Sequence, residues 1–273
     1  MTVDLAGLTH VGLKRSENQD EVFAQLLVEG DQPIACLAVA DGMGGHVKGR
    51  EASQLAIKTV RSELEGWLKS EGAVPTKEWC INLEKEAHRA VSRISCGTEV
   101  AGTTLTVAIV HRDQCLIGHV GDSRAYCFRD GKLEQLTEDQ TWDVYAQKNG
   151  IPNEYGKSLR QAIGVGGGIT PDTYCVDMLR SDWLLVCSDG LYKMVGIEAL
   201  EIELGQSISA KDACERLIQL ALDGGGKDNV GVCVARFGVP VAKTRKLDPP
   251  LVIAMVAAII LTILVVLNLV GMI

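Results

Sequence analysis

Short apolar runs bounded by glycine, aspartate or asparagine recur through the first 238 residues, and three longer stretches carry helical periodicity. Runs at 34–40 (IACLAVA), 103–110 (TTLTVAIV), 115–120, 124–128, 183–187 and 230–237 are brief and rich in β-branched or apolar residues, which predicts strands. HRDQ separates 103–110 from 115–120, a connection of hairpin length. In 50–69, Ala52, Leu55, Ala56, Val60, Leu64, Trp67 and Leu68 fall on one helical face, and in 77–95 Trp79, Leu83, Ala87, Ala90, Val91 and Ile94 do the same. A third amphipathic helix fits 210–222. Two helices, a meander of strands, one more helix and a last strand do not alternate as βαβ units. The order predicts an antiparallel α+β fold with helices laid on sheets.

The pattern changes at 251–273, where LVIAMVAAIILTILVVLNLVGMI runs for 23 residues without a charge. As a helix it would be about 35 Å long, enough to cross a hydrocarbon core of about 30 Å. It is apolar on every face, with Thr262 and Asn268 as polar interruptions, unlike the stripe of a helix at the edge of a soluble core. Lys243, Arg245 and Lys246 precede it, followed by Pro249-Pro250. Basic flanks stay on the cytoplasmic side, so the expectation is a single-pass tail anchor with the preceding domain in the cytoplasm. The chain then divides into a working domain at 1–238, a basic and proline-containing linker at 239–250 and a transmembrane helix at 251–273.

Charge and cysteine usage narrow the partners. With 27 Lys+Arg against 35 Asp+Glu the formal charge is −8, and no basic stripe offers itself to a polyanion, so nucleic acid is not an expected partner. The nine cysteines are scattered, odd in number and free of any CxxC pair, which excludes a zinc ribbon and predicts a reducing compartment. The N-terminal stretch has no apolar h-region, so no cleaved secretory signal is expected.

The acids are placed informatively. Asp20 ends RSENQD, Asp41 follows CLAVA, Asp122 follows CLIGHVG, Asp189 follows WLLVCS, and Asp228 precedes VGVCVARF. Any one Asp-Gly at a strand end is explained by turn chemistry. Several carboxylates converging at sheet ends repel one another unless a cation compensates them, and oxygen-only ligands suit Mg²⁺ or Mn²⁺ rather than Zn²⁺. No His-x-His or His-Glu-x-x-His pair offers another ligand set.

Seven segments occur in a telling order: GLKRSENQD at 12–20, VADGMGGHVKGREAS at 39–53, AGTTLTVAIV at 101–110, GHVGDSRAY at 118–126, LTEDQTW at 136–142, CSDGLYKMV at 187–195 and GGKDNVGVCVA at 225–235. In these the chain resembles the bacterial-type metal-dependent protein serine/threonine phosphatases of the type 2C (PPM) family, over almost all of the domain. The resemblance implies an antiparallel β-sandwich with a helical pair on each outer face. It implies hydrolysis of phosphoserine and phosphothreonine on proteins by a hydroxide bridging two Mn²⁺ or Mg²⁺ ions, reversing a bacterial Ser/Thr kinase. It matches Asp41 to the carboxylate bridging both ions and the Gly42 carbonyl to a ligand of one. Asp189 and Asp228 match ligands of the other, and Asp20 an acid acting in or behind that shell through water. Asp122 matches a ligand of a third, weaker ion, and Arg15 the group that grips the substrate phosphate. Two cations can activate water and neutralise phosphoryl oxygens, and arginine presents a planar fork that fits phosphate.

Where eukaryotic members often carry histidine after the Asp-Gly, Met43 stands here, leaving the general acid between a metal-bound water and His46. Asn18-Gln19 precede Asp20 where an acid is often found, which weakens one water-mediated contact. The segment 143–172 corresponds to a variable flap whose Gly166-Gly167-Gly168 run suggests mobility. Thr103, Thr104 and Ser123 read mainly as strand residues, and Cys187 as a core residue rather than a nucleophile. Two further readings stay open: a catalytically inactive phosphatase fold used as a binding module at the membrane, and a hydrolase of small phosphomonoesters.

Overall fold

A computed structural model describes residues 2–29, 32–43, 47–69, 75–95 and 100–238. The strands are β1 (Val3–His10), β2 (Asp20–Glu29), β3 (Gln32–Met43), β4 (Gly102–Thr103), β5 (Leu105–His111), β6 (Gln114–Val120), β7 (Arg124–Arg129), β8 (Lys132–Gln135), β9 (Asp172–Asp177), β10 (Trp183–Cys187) and β11 (Val230–Phe237). The helices are α1 (Val47–Lys69), α2 (Lys77–Ser92), α3 (Trp142–Asn149), α4 (Asp189–Tyr192), α5 (Ile197–Gln206) and α6 (Ala210–Asp223). Among the described residues the strands form two sheets, β1-β11-β10-β7-β8 and β2-β3-β5-β6-β9, with β4 paired to the end of β3. All of these pairings are antiparallel.

Alternation along the strands explains why so many read as unbroken apolar runs. On β3, Ile34, Cys36, Ala38 and Ala40 join Ala52, Ala56, Val60 and Leu64 of α1 in one core cluster, while Ala35, Leu37 and Val39 point the other way. On β11, Val230, Val232 and Val234 pack with Ala213, Leu217 and Ala221 of α6, while Cys233, Ala235 and Phe237 meet the opposite sheet. A strand covered on both faces has no solvent side, so its alternation is silent in the sequence. The layer between the sheets uses small side chains, with Ala35, Ala108, Ala125 and Ala235 beside Cys115, Cys127 and Cys233. That accounts for much of the cysteine content: the eight described cysteines are free, and all except Cys175 are buried. Cys187 lies wholly inside the cluster under α6, its thiol pushed up in pKa by burial. The core reading of this residue holds.

Two local results differ from the periodicity. The predicted strand 103–110 is interrupted at Thr104, whose hydroxyl rather than carbonyl accepts the Asp41 N–H at 2.9 Å. The ladder keeps its register on both sides, with Val39 opposite Thr106 and Gly42 opposite Thr103. The second difference is the buried face of α2, which consists of Cys80, Leu83, Glu84, Ala87, His88 and Val91. It is rotated from the apolar stripe and carries a carboxyl group and an imidazole, those of Glu84 and His88. His88 Nδ1 accepts the Gly164 N–H at 3.1 Å. Thr76 caps the helix, accepting the Trp79 N–H at 3.1 Å.

Residues 239–273, with the expected linker and membrane span, lie outside the described residues, as do Gly44, Gly45, His46 and Cys96. No helix among the described residues is long and apolar enough to cross a membrane. The segment 143–172 folds as α3 and a loop tied back by Ile163, which exchanges backbone hydrogen bonds of 3.1 and 2.8 Å with Thr103. Its glycine run 166–168 is exposed.

Glu84 yields a test. Its carboxylate is buried against Gly118 on β6, where a Cβ would lie 3.0 Å from Oε1. Neither oxygen has a hydrogen-bond partner among the described residues, and burial holds the group well above the ordinary glutamate pKa. A native pKa raised above the unfolded value contributes stability below the ordinary carboxylate range that is lost as pH rises through the native value. Glu84→Gln is therefore expected to gain stability relative to wild type between pH 5 and pH 8, by about 1 kcal/mol or more. Urea denaturation at both pH values measures it, and an equal difference at the two would contradict the buried acid.

Candidate active site

The two sheets place their acids at one end of the sandwich. Asp20 opens β2 and lies directly across the ladder from Asp41, near the end of β3. On the other sheet Asp189 follows β10, and Asp228 sits two residues ahead of β11, the strand beside it. Asp122 occupies the turn between β6 and β7. Together Asp41, Gly42, Asp122, Asp189 and Asp228 line a cleft of about 440 Å³ with Arg15 at its mouth.

The glycines of the two Asp-Gly pairs are required by close approach. A Cβ on Gly190 would lie 1.8 Å from the Asn229 carbonyl oxygen, and one on Gly42 2.3 Å from that of Gly49. Neither contact tolerates a side chain. Turn chemistry alone would not demand this at both positions. The glycines bring neighbouring backbones together beside the acids.

A polar frame holds the carboxylates. Ser188 Oγ donates to Asp20 Oδ2 at 2.6 Å and accepts the Gly231 N–H at 2.8 Å, so one hydroxyl joins an acid of the second sheet to β11 of the first. Asn229 fixes the loop that carries Arg15: its Nδ2 donates to the carbonyls of Val11 at 2.8 Å and Glu17 at 2.9 Å, and its Oδ1 accepts the Gln19 N–H at 2.9 Å. Thr104 hydroxyl holds the Asp41 backbone and lies 2.7 Å from Ser123 Oγ. Arg124 grips Asp139 with two hydrogen bonds of 2.8 and 2.7 Å and stacks 3.6 Å from the Tyr192 ring centroid. Tyr192 hydroxyl donates to the Asp122 carbonyl at 3.0 Å.

Sequence reasoning treated Thr104 and Ser123 as strand residues and gave no role to Ser188, Asn229 or Lys193. The available signals were position alone: Ser188 and Asn229 each adjoin a candidate ligand, and Lys193 stands four residues after Asp189.

Charge is uncompensated at the centre. Burial, then the nearby Asp20, Asp189, Asp122 and Asp228, hold the Asp41 carboxyl well above its ordinary range. Asp20 is raised chiefly by burial, opposed by the Ser188 hydrogen bond, and its Oδ1 is buried with no hydrogen-bond partner among the described residues. Adjacent carboxyls of this kind need a shared proton or a cation. Farther out the protein supplies its own counter-charges. Arg15 reaches Asp228 Oδ2 at 2.8 Å, and Lys193 pairs with Asp189.

Among the described residues no three Asp, Glu, His or Cys side chains already stand in a cage for one ion. The donor set nevertheless fits a hard divalent cation. It is all oxygen, it includes an orphaned buried carboxylate oxygen, and its central charge lacks a partner. Arg15 and Asp228 are both substantially exposed, side chains 55% and 36% accessible, so the pair that closes the set is weak.

A model of the family described as Protein phosphatase 2C matches residues 9–220. The Serine/threonine protein phosphatase PstP of Mycobacterium tuberculosis is 34% identical over 230 residues, covering 82% of this chain but 43% of that protein. The chain thus spans less than half the length of that relative. The Serine/threonine phosphatase stp of Listeria welshimeri is 32% identical over 240 residues, covering 82% of this chain and 92% of that protein. Among solved structures, the catalytic domain of PstP in complex with two manganese ions superposes with a TM-score of 0.69 at 32% identity, covering 86% of this chain and 99% of that one.

Protonation and cation binding compete at Asp20 and Asp41, since ligation needs the carboxylate that burial disfavours. Raised native pKa values mean that the metal-stripped site is most comfortable at low pH and loses stability as pH climbs above the ordinary carboxylate range. The increase in melting temperature on adding Mn²⁺ is expected to be larger at pH 8 than at pH 5. Differential scanning calorimetry on stripped protein measures both, and equal increases would contradict the competition.

Proposed function

Because the chain belongs to the protein phosphatase 2C family, we propose that it is a metal-dependent phosphatase that hydrolyses phosphoserine and phosphothreonine on proteins. The observation that carries this reading is the meeting of Asp41 from one sheet with Asp189 and Asp228 from the other at a single cleft lined also by Arg15, with Asp20 buried across the ladder from Asp41. Asp41, the Gly42 carbonyl, Asp189 and Asp228 would hold two Mn²⁺ or Mg²⁺ ions, with Asp20 behind them and fixed by Ser188. Bound there, the cations supply Lewis-acid activation of water and neutralise charge on the phosphoryl oxygens.

With the ions in place, Arg15 would be free to change partners. Its exposed pair with Asp228 is worth about 0–1 kcal/mol, so little opposes its transfer to a substrate phosphate once Asp228 faces a cation. The guanidinium offers two parallel donors to that phosphate and keeps its charge at any working pH. Lys157, Ser158 and Leu159, from the loop after α3, line the same cleft, which supports a role for this segment in contacting a phosphopeptide.

The substrates in this reading are phosphorylated proteins, among them a bacterial Ser/Thr kinase in its autophosphorylated form. Residues 1–238 form the catalytic domain, 239–250 a linker and 251–273 a membrane-spanning helix. The uncharged run and the basic Lys243, Arg245 and Lys246 before it support this organisation and a cytoplasmic catalytic domain.

Asp41→Asn and Asp228→Asn are each expected to lower turnover of a phosphothreonine peptide by a factor of order 100 or more, with an unchanged circular dichroism spectrum. EDTA should abolish wild-type activity and Mn²⁺ restore it. Turnover by EDTA-stripped enzyme, or a strong preference for sugar phosphates over phosphopeptides, would contradict the assignment. Deleting 251–273 should release an active soluble enzyme. Recovery of the intact chain in the cytosolic fraction without detergent would contradict the membrane span.

A further inference from the structure

Asp122, in the turn that joins β6 of one sheet to β7 of the other, and Asp189, just after β10, both line the cleft, and the cation between them belongs to the protein. Lys193 Nζ pairs with Asp189 Oδ2 and lies 3.5 Å from Asp122 Oδ2. The arrangement is built rather than accidental. Asp189 begins the single turn of α4 and Lys193 closes it, with the Lys193 N–H donating to the Asp189 carbonyl at 3.0 Å. The i, i+4 spacing on that turn brings the ammonium onto the carboxylate. Tyr192, beside it, fixes Asp122 through the hydrogen bond from its hydroxyl to the Asp122 carbonyl, and Arg124 holds the Tyr192 ring from above. The two carboxylates are largely enclosed, with side chains 11% and 18% accessible, while the lysine is 44% accessible, so the acids are less screened than on open surface and the ammonium reaches them from the rim.

The resemblance matches Asp122 to a ligand of a third divalent ion. The residues here do not fit that role. A divalent ion beside Asp122 would have to displace or repel a tethered ammonium that already serves both carboxylates. An ammonium has three donors and no acceptor, so it cannot join a coordination shell while protonated.

We propose that Lys193 is the resident cation of the Asp122–Asp189 pair, so that this chain takes two divalent ions and not three. The inference deepens the reading of the same site as a two-ion phosphatase. It makes Lys193 a positioning residue: it offsets the charge of Asp122 and steadies Asp189 within the cleft.

The test is the number of Mn²⁺ bound per chain, measured by equilibrium dialysis with elemental analysis on the full-length protein in detergent. Wild type and Lys193→Arg should each bind two at millimolar Mn²⁺. Lys193→Met, which keeps the stem and removes the charge, should bind one more than wild type, and adding Asp122→Asn to it should remove that extra ion. In the wild-type background Asp122→Asn should leave the count unchanged, a reading that needs no lysine variant to fold. A wild-type count of three that falls to two with Asp122→Asn would overturn the proposal. So would a folded Lys193→Met protein with the wild-type count. A wild-type count of zero would instead defeat the two-ion reading, while the difference between Lys193→Met and wild type still decides the role of the lysine.

Discussion

The adjacency of Asp20 and Asp41 is the constraint around which the site is organised. Backbone pairing between β2 and β3 sets two carboxyl groups side by side, and the ladder leaves them no freedom to separate. One oxygen of Asp20 is satisfied by Ser188 and the other is buried without a partner among the described residues. Leaving a buried carboxylate so exposed to its neighbours costs stability that a divalent cation can return. The strain is electrostatic and local, and it sits where the two sheets meet.

The rest of the sandwich makes that adjacency rigid. Helices on both outer faces and small alanine and cysteine side chains between the sheets give a doubly covered core. The acids come at strand ends, where the ladder stops and backbone positions remain fixed by the pairing behind them. Ser188 and Asn229 cross from one sheet to the other or to the Arg15 loop, so the acids of the two sheets are held in one frame. Counter-charges graded outward complete the design: none at Asp41, an exposed arginine on Asp228 and a half-exposed lysine between the enclosed carboxylates of Asp189 and Asp122.

Much of this was legible in the residues, and what was not has physical reasons. The strands at 183–187 and 230–237 and the helix at 210–222 were readable because turn residues bound an apolar run or a clean stripe. β1 and β2 were missed because VDLAGLTH and DEVFAQLLVE mix polar and apolar positions at a sheet edge, where one side meets solvent. The buried face of α2 was misplaced by one position because Glu84 and His88 lie on it, and a hydrophobic pattern cannot register buried ionisable groups. The acids themselves were found, but their frame was not. Ser188, Asn229 and Thr104 act through hydrogen bonds between residues far apart in sequence, and no spacing rule encodes those. Lys193 was hidden differently: its partner Asp189 is a helical turn away, but Asp122 meets it only in the folded protein.

The central claim is that acids from two sheets meet to hold two hard cations. It is tested most directly by anomalous scattering from crystals of the protein grown with Mn²⁺. The account predicts two peaks in the cleft, in contact with Asp41, Asp189 and Asp228. Well-ordered crystals with no peak among those side chains, or with manganese bound elsewhere, would contradict it.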